Sequence, residues 1–167
     1  MSSALDLLGA ELGPAERGRL QAVMLPRQLT RGEVLIAEGE LDQGLFVVEE
    51  GELSVLVGDV EIARIGPRSW VGEVALLDPG PASATVRAAS DCVLLELRSE
   101  TLGELVLTEP RIARAVVRAL SGALARRLRE SARRALADRA PSSPSPAVGS
   151  ARGWFDRLFG GRRGGQA

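Results

Sequence analysis

Residues 72–88 read GEVALLDPGPASATVRA, and we interpret the rest of the chain outward from this stretch. It begins with a Gly-Glu pair and a short apolar segment that is predicted to form a turn. The residues DPGP end that turn, and ATVRA is predicted to form the next strand. The pattern predicts a strand–turn–strand segment in which successive backbone N–H groups point inward. Such groups bind anions through their partial charge and donor geometry. We therefore expect an anion-binding segment, with Glu73 beside it as an acceptor for hydroxyl groups.

The stretch resembles the phosphate-binding cassette of the cyclic nucleotide-binding domain family, the sensor module of catabolite activator-like regulators and cyclic-nucleotide-dependent kinases. The family pattern is approximately FGE-L-A-L followed by PRxATVxA, and this chain has VGEVALL and PASATVRA. The resemblance implies cyclic AMP or cyclic GMP as a possible ligand, with no other cofactor. The ribose contacts that it implies fall on Gly72 and Glu73. Backbone or hydroxyl contacts are implied for Val74, Ala75, Ser83, Ala84 and Thr85.

One position departs from the family pattern. The family's phosphate-pairing arginine falls at Ala82 in this chain. Arginine suits that position because its planar fork binds phosphate through two charge-assisted hydrogen bonds. Losing such a partner typically costs about 2–5 kcal/mol, or roughly one to three orders of magnitude in affinity. We therefore expect weak or altered ligand binding, unless Arg68 in the preceding turn swings inward. Arg87 alternates away from Val86 and is predicted to face solvent.

The sequence before and around the cassette predicts the fold. Residues 1–26 are predicted as N-terminal helices, and residues 27–98 switch to short runs of period two that predict about eight strands. The family resemblance extends over roughly residues 15–132 and includes Gly39, Asp42, Phe46 and Gly51 in RGEVLIAEGELDQGLFVVEEGELSV. It implies an α+β fold: a cyclic-nucleotide-binding-type β jelly-roll barrel flanked by N-terminal helices and a long C-terminal helix. Arg68 and Ser69 replace the family's Gly-Asp pair, which implies an altered loop beside the site.

Residues 99–139 are predicted as C-terminal helices, with Pro110 in the first turn of the longer one. Its apolar residues recur largely every four positions and form a stripe. Because only part of that stripe can face the barrel, we expect a homodimer through this helix. Ser131 falls where the family's helix reaches the base of a ligand, although a solvated hydroxyl is an equal interpretation. The stripe comprises Ile112, Val116, Leu120, Leu124, Leu128 and Leu136.

The C-terminal end has a different composition. Residues 140–150, APSSPSPAVGS, are predicted to be a Pro/Ser linker. Residues 151–167 form an amphipathic tail that holds three of the five aromatic residues and four arginines. If the tail is helical, its apolar anchors share one face. We favour docking of this face to a protein partner over folding back onto the domain. Association with an anionic membrane surface is the third alternative. The predicted anchors are Trp154, Phe155, Leu158 and Phe159.

Charge and composition exclude several functions. Residues 1–110 carry eight arginines against 19 acidic residues, whereas residues 111–167 carry 13 arginines against three acidic residues. The chain has no histidine and one cysteine, Cys92, so we expect no metal site, no disulfide and a reducing cytoplasm. No catalytic residue is assigned, because no nucleophile–base pair or carboxylate dyad is recognisable. Binding to nucleic acid is disfavoured, since no helix-turn-helix follows the long helix.

The sequence supports three hypotheses about function. The leading hypothesis is a cytoplasmic sensor or adaptor that signals through its C-terminal helix and tethered tail. The alternative is a ligand-independent dimeric scaffold with a vestigial pocket, which the alanine at position 82 favours. A DNA-binding regulator is the third and weakest hypothesis.

Overall fold

The computed structural model describes residues 5–41, 44–78 and 80–138. These residues fall into two units, which divide after Arg126. Five helices are present among the described residues. They are α1 (Leu5–Leu8), α2 (Pro14–Val23), α3 (Glu73–Leu77), α4 (Ser99–Thr108) and α5 (Pro110–Asp138).

Eight strands lie within the described residues and form two antiparallel four-stranded sheets, ordered β1-β8-β3-β6 and β2-β7-β4-β5. With the flanking helices they form the expected α+β jelly roll. The turn Val57–Val60 is a tight hairpin, as predicted, with Gly58 at φ 56°. The strands are β1 (Leu25–Leu29), β2 (Val34–Ile36), β3 (Gly44–Glu50), β4 (Leu53–Val57), β5 (Val60–Ile65), β6 (Ser69–Val71), β7 (Thr85–Ala88) and β8 (Cys92–Arg98).

The first strand begins earlier than the sequence pattern indicates. β1 starts at Leu25, inside the range 1–26 that was assigned to helices. Pro26 is compatible with this strand because β1 lies at the edge of its sheet, where one side of the backbone has no neighbouring strand. Four of the five β1 residues are exposed, so the strand lacks the apolar alternation that would have marked it.

The hydrophobic core has two clusters. The inner cluster lies within the barrel and includes Phe46, Val48, Leu53 and Leu94. Cys92 is buried there, as expected for a small core residue. The helix-side cluster joins the N-terminal helices, Trp70 and the first half of α5. The barrel is therefore packed separately on its inside and on its helix-covered side.

The apolar stripe of α5 changes from buried to exposed along the helix. Ile112, Val116 and Leu120 have no exposed surface, and each such side chain contributes roughly 1.5–3 kcal/mol through burial. Leu124 is 37% exposed, and Leu128 and Leu136 are 70% and 71% exposed. Only part of the stripe is therefore buried within the chain.

Candidate functional site

The cassette begins with a left-handed glycine between β6 and α3. Gly72 has φ 85° and ψ 5°, a conformation that an L side chain adopts only with strain. Its carbonyl oxygen accepts a 3.2 Å hydrogen bond from the N–H of Leu76, which closes the first turn of α3. This turn directs the chain from the strand directly into a short helix.

The candidate ligand-binding residues at the start of α3 have different solvent exposure. Glu73 is only 4% exposed, Ala75 is buried, and Val74 is 54% exposed. The N–H groups of Val74 and Ala75 lie in the first turn of α3, where a helix supplies no acceptor of its own. This placement is compatible with anion binding by backbone N–H groups. The roles of Gly72 and Glu73 in ribose binding stay predictions.

The second half of the cassette is fixed to the loop that follows β2. The N–H of Ala82 donates to the carbonyl oxygen of Glu40, and the N–H of Gly39 donates to the carbonyl oxygen of Ala82, both at 2.8 Å. Leu41 and Pro81 form an antiparallel bridge beside them. The Ala82 side chain packs against the inner cluster. A longer side chain at position 82 would therefore begin toward the barrel interior.

The residues after Ala82 lead into β7. Ser83 is exposed, whereas Ala84 and Thr85 are half-buried. The hydroxyl of Thr85 accepts a 3.1 Å hydrogen bond from the N–H of Glu38. Thr85 therefore already helps to hold the 38–41 loop against the cassette. The sequence pattern does not predict this pairing, although it does contain a glycine at the turn, Gly39, which has φ 83°.

The two arginines nearest the cassette in sequence are both exposed. Arg87 lies on β7 between the buried residues Val86 and Ala88, so it faces away from the inner cluster, as predicted. Arg68 has φ 64° and is the sole non-glycine residue at positive φ in the part of the chain that the structure describes. Arg68 therefore holds a left-handed conformation that glycine adopts without strain, and the expected alteration of the loop stays a prediction. An inward swing of its side chain stays a prediction.

A polar network on the outer face of the second sheet was also missed. The hydroxyl of Ser54 donates to Glu61 at 2.8 Å, and the Nε of Arg64 donates to the same carboxylate at 2.8 Å. The hydrogen bonds from Arg64 and then Ser54 hold the pKa of Glu61 below its ordinary value of 4.5. The same pairing raises the pKa of Arg64. This network fixes the β4–β5 hairpin.

The remaining candidate residues lie on α5 and in the C-terminal tail. Ser131 is exposed on α5. The tail residues Trp154, Phe155, Leu158 and Phe159 lie outside the described residues. Across ranges 5–41, 44–78 and 80–138, no group of three or more Cys, Asp or Glu side chains is placed to hold a metal ion. No helix in those ranges is both long and apolar enough to cross a membrane.

Comparisons with known proteins agree with this geometry. The family model described as "Cyclic nucleotide-binding domain" matches residues 26–109, half of the chain. The N-terminal domain of a transcriptional regulator from Streptomyces coelicolor A3(2) is 31% identical, with a TM-score of 0.66. That match covers 88% of this chain and all of the regulator domain. A comparison with curated protein sequences finds no match.

Two further solved structures share the fold. A cyclic nucleotide-binding domain from Methylobacillus flagellatus KT is 23% identical, with a TM-score of 0.75, and the match covers 84% of this chain and 85% of that domain. The catabolite activator protein of Thermus thermophilus is 31% identical, with a TM-score of 0.67. That match covers 75% of this chain and 59% of the activator.

Proposed function

The chain belongs to the cyclic nucleotide-binding domain family, and from this premise we propose that it is a regulatory sensor whose cassette binds cyclic AMP or cyclic GMP weakly. The observation that carries the proposal is the burial of Glu73, which is 4% exposed beside the left-handed Gly72. Burying a carboxylate costs free energy unless polar contacts compensate for it. A carboxylate beside the first turn of α3 can accept hydrogen bonds from the hydroxyl groups of a ligand, and this placement supports the sensor proposal.

Ala82 is the reason that we expect weak binding. Its side chain packs against the inner cluster, and the adjoining loop contributes the acidic residues Glu38 and Glu40. The site therefore lacks the arginine that the family uses at this position, and two acidic residues lie in the segment bonded to it. The same observation favours the second candidate function, a ligand-independent scaffold with a vestigial pocket.

The proposed output passes through α5 and the tail. α5 begins at Pro110 beside the barrel, and its exposed Val117, Leu124 and Leu128 offer an apolar seam for a second copy. These positions recur at intervals that suit the packing of two helices. The tail of residues 151–167 would dock a protein partner, with an anionic membrane surface as the alternative. We also propose a DNA-linked role as a lesser alternative, because two similar proteins are described as a transcriptional regulator and a catabolite activator.

The experiment is a titration of the full chain with cyclic AMP and cyclic GMP, followed by backbone amide chemical shifts. The sensor hypothesis expects shifts at residues 72–85, with an affinity in the high micromolar to millimolar range. Glu73→Gln keeps the size of the side chain but removes the charge of its hydrogen-bond acceptor, and this variant should lose the chemical-shift changes. The wild-type chain should bind 2′-deoxy cyclic AMP more weakly than cyclic AMP. Absence of shifts at millimolar nucleotide would favour the scaffold and contradict the sensor.

A further inference from the structure

A groove separate from the cassette lies on the helix side of the barrel, away from the inner cluster. It is lined by Leu8, Ala10 and Glu11, by Trp70 of β6 and by one face of α5, and its volume is about 390 Å³. Small-molecule sites in proteins commonly have volumes of about 300–1,000 Å³. Trp70 and Leu8 belong to the helix-side cluster, whereas Ala82 of the cassette packs against the inner cluster. We call this space the helix groove, and it differs from the cassette in its lining.

Small residues of α5 form one wall of the helix groove. Ala115, Ala119 and Gly122 are spaced by four and three positions, so they share one face of the helix. A methyl group added at Gly122 would meet only Nη1 of Arg126, at 3.6 Å, among atoms within 4 Å. The position is therefore open rather than filled by the rest of the protein. A side chain at residue 122 would therefore begin in the groove, next to the guanidinium of Arg126.

The rim of the helix groove carries an excess of positive charge. Nη1 of Arg118 lies 3.3 Å from Oε1 of Glu11, so these two charges offset each other. Arg126 also lines the groove and forms no salt bridge with any side chain of the described ranges. One guanidinium therefore remains available at the rim. Guanidinium groups bind carboxylates with two parallel hydrogen bonds.

We propose that the helix groove binds an amphiphilic monocarboxylate, a molecule with one carboxylate on an aromatic or alkyl body. The carboxylate pairs with Arg126, and the apolar body packs between Trp70 and the wall of Ala115, Ala119 and Gly122. Aromatic rings gain from edge or offset contact with an indole in addition to the apolar area that they bury. This site is independent of cyclic nucleotide, so its failure and the failure of the proposed sensor function are separate results.

The test uses 4-phenylbutyrate and its neutral amide, 4-phenylbutanamide, as probes of the full chain. The two molecules have nearly the same shape and differ in charge. We expect the carboxylate to bind about tenfold more tightly, because charge-assisted hydrogen bonds are roughly twice as strong as neutral ones. Amide chemical shifts should change at residues 115–122 and at the Trp70 indole, and stay constant at residues 73–85. Equal affinity for both probes, no binding, or shifts confined to the cassette would overturn the proposal.

Two substitutions test the groove, with one matched control. Arg126→Gln should lower the affinity for 4-phenylbutyrate about tenfold, to that of the amide, without changing the fold at this exposed position. Gly122→Leu should abolish binding by filling the groove. Gly103→Leu is the control, since Gly103 is also helical and has no atom within 4 Å of an added methyl. The proposed site is refuted if a folded Arg126→Gln or Gly122→Leu variant binds 4-phenylbutyrate with wild-type affinity. If Gly122→Leu does not fold, the affinity of Arg126→Gln alone tests the site.

Discussion

The turn before the cassette contains a conformational strain that one substitution should relieve. Arg68 has φ 64°, and its N–H donates to the carbonyl oxygen of Val48 at 3.1 Å. The left-handed conformation costs a residue with a Cβ roughly 1–2 kcal/mol. Glycine avoids that cost and retains the N–H, but it loses about 0.5–1 kcal/mol more conformational entropy on folding. Arg68→Gly should therefore raise the free energy of unfolding by about 0.5–1 kcal/mol.

The assay is thermal and urea unfolding of the full chain, with a control at a second exposed arginine. For a chain of this size, the expected gain corresponds to an increase in Tm of about 1–4 °C. Arg31 also lies in a turn, but its φ is not positive, and its N–H is bonded to Asp91. Arg31→Gly should therefore lower the stability by roughly 0.5–1 kcal/mol through the entropy term alone. If Arg68→Gly also lowers Tm, the strain argument is refuted.

Three further predictions concern the dimer, the tail and the polar network. Leu124→Asp should convert a dimer to a monomer in sedimentation velocity, and a wild-type chain that is monomeric at high concentration would rule out the α5 interface. Deletion of residues 151–167 should leave Tm nearly unchanged and remove capture of a protein partner. The double substitution Trp154→Ala and Phe159→Ala should have the same effect. A large fall in Tm would instead show that the tail belongs to the core. Because hydrogen bonds lower the pKa of Glu61, its stabilising contribution should be full above pH 4.5 and be lost as the pH falls through the lowered pKa. The Tm difference between wild type and Glu61→Gln should thus vanish in acid, and a difference that grows there would contradict this assignment.

Much of the barrel is predictable because its signals are local. The hairpin at 57–60 needs a tight turn between two apolar runs, and Pro110 at the first position of α5 has a fixed φ that suits a helix start. Gly72 is needed where the chain turns with positive φ. Each of these features depends on a few neighbouring residues. Pattern analysis therefore located them without knowledge of the rest of the chain.

The remaining features depend on contacts between distant residues. β1 has an exposed pattern and is a strand because it pairs with β8, about 70 residues later in the chain. The bonds that join Gly39 and Glu40 to Ala82 close a long loop, and no local pattern specifies them. The burial of Glu73 likewise follows from packing around α3 rather than from its neighbours in sequence. The direction of the Ala82 side chain could be established only from these long-range contacts.

We propose that the cassette keeps the elements of a nucleotide-binding site except for the phosphate-binding arginine. The direct measurement is calorimetric titration of wild type and Ala82→Arg with cyclic AMP and cyclic GMP, with circular dichroism to verify folding. Since the side chain at position 82 begins toward the inner cluster, the new guanidinium should tighten binding by about 10- to 1,000-fold. Ala82→Gln is the matched control, with a long polar side chain but no charge, and should gain less than Ala82→Arg. Sub-micromolar binding by the wild-type chain, or a folded Ala82→Arg variant without any gain in affinity, would contradict the claim.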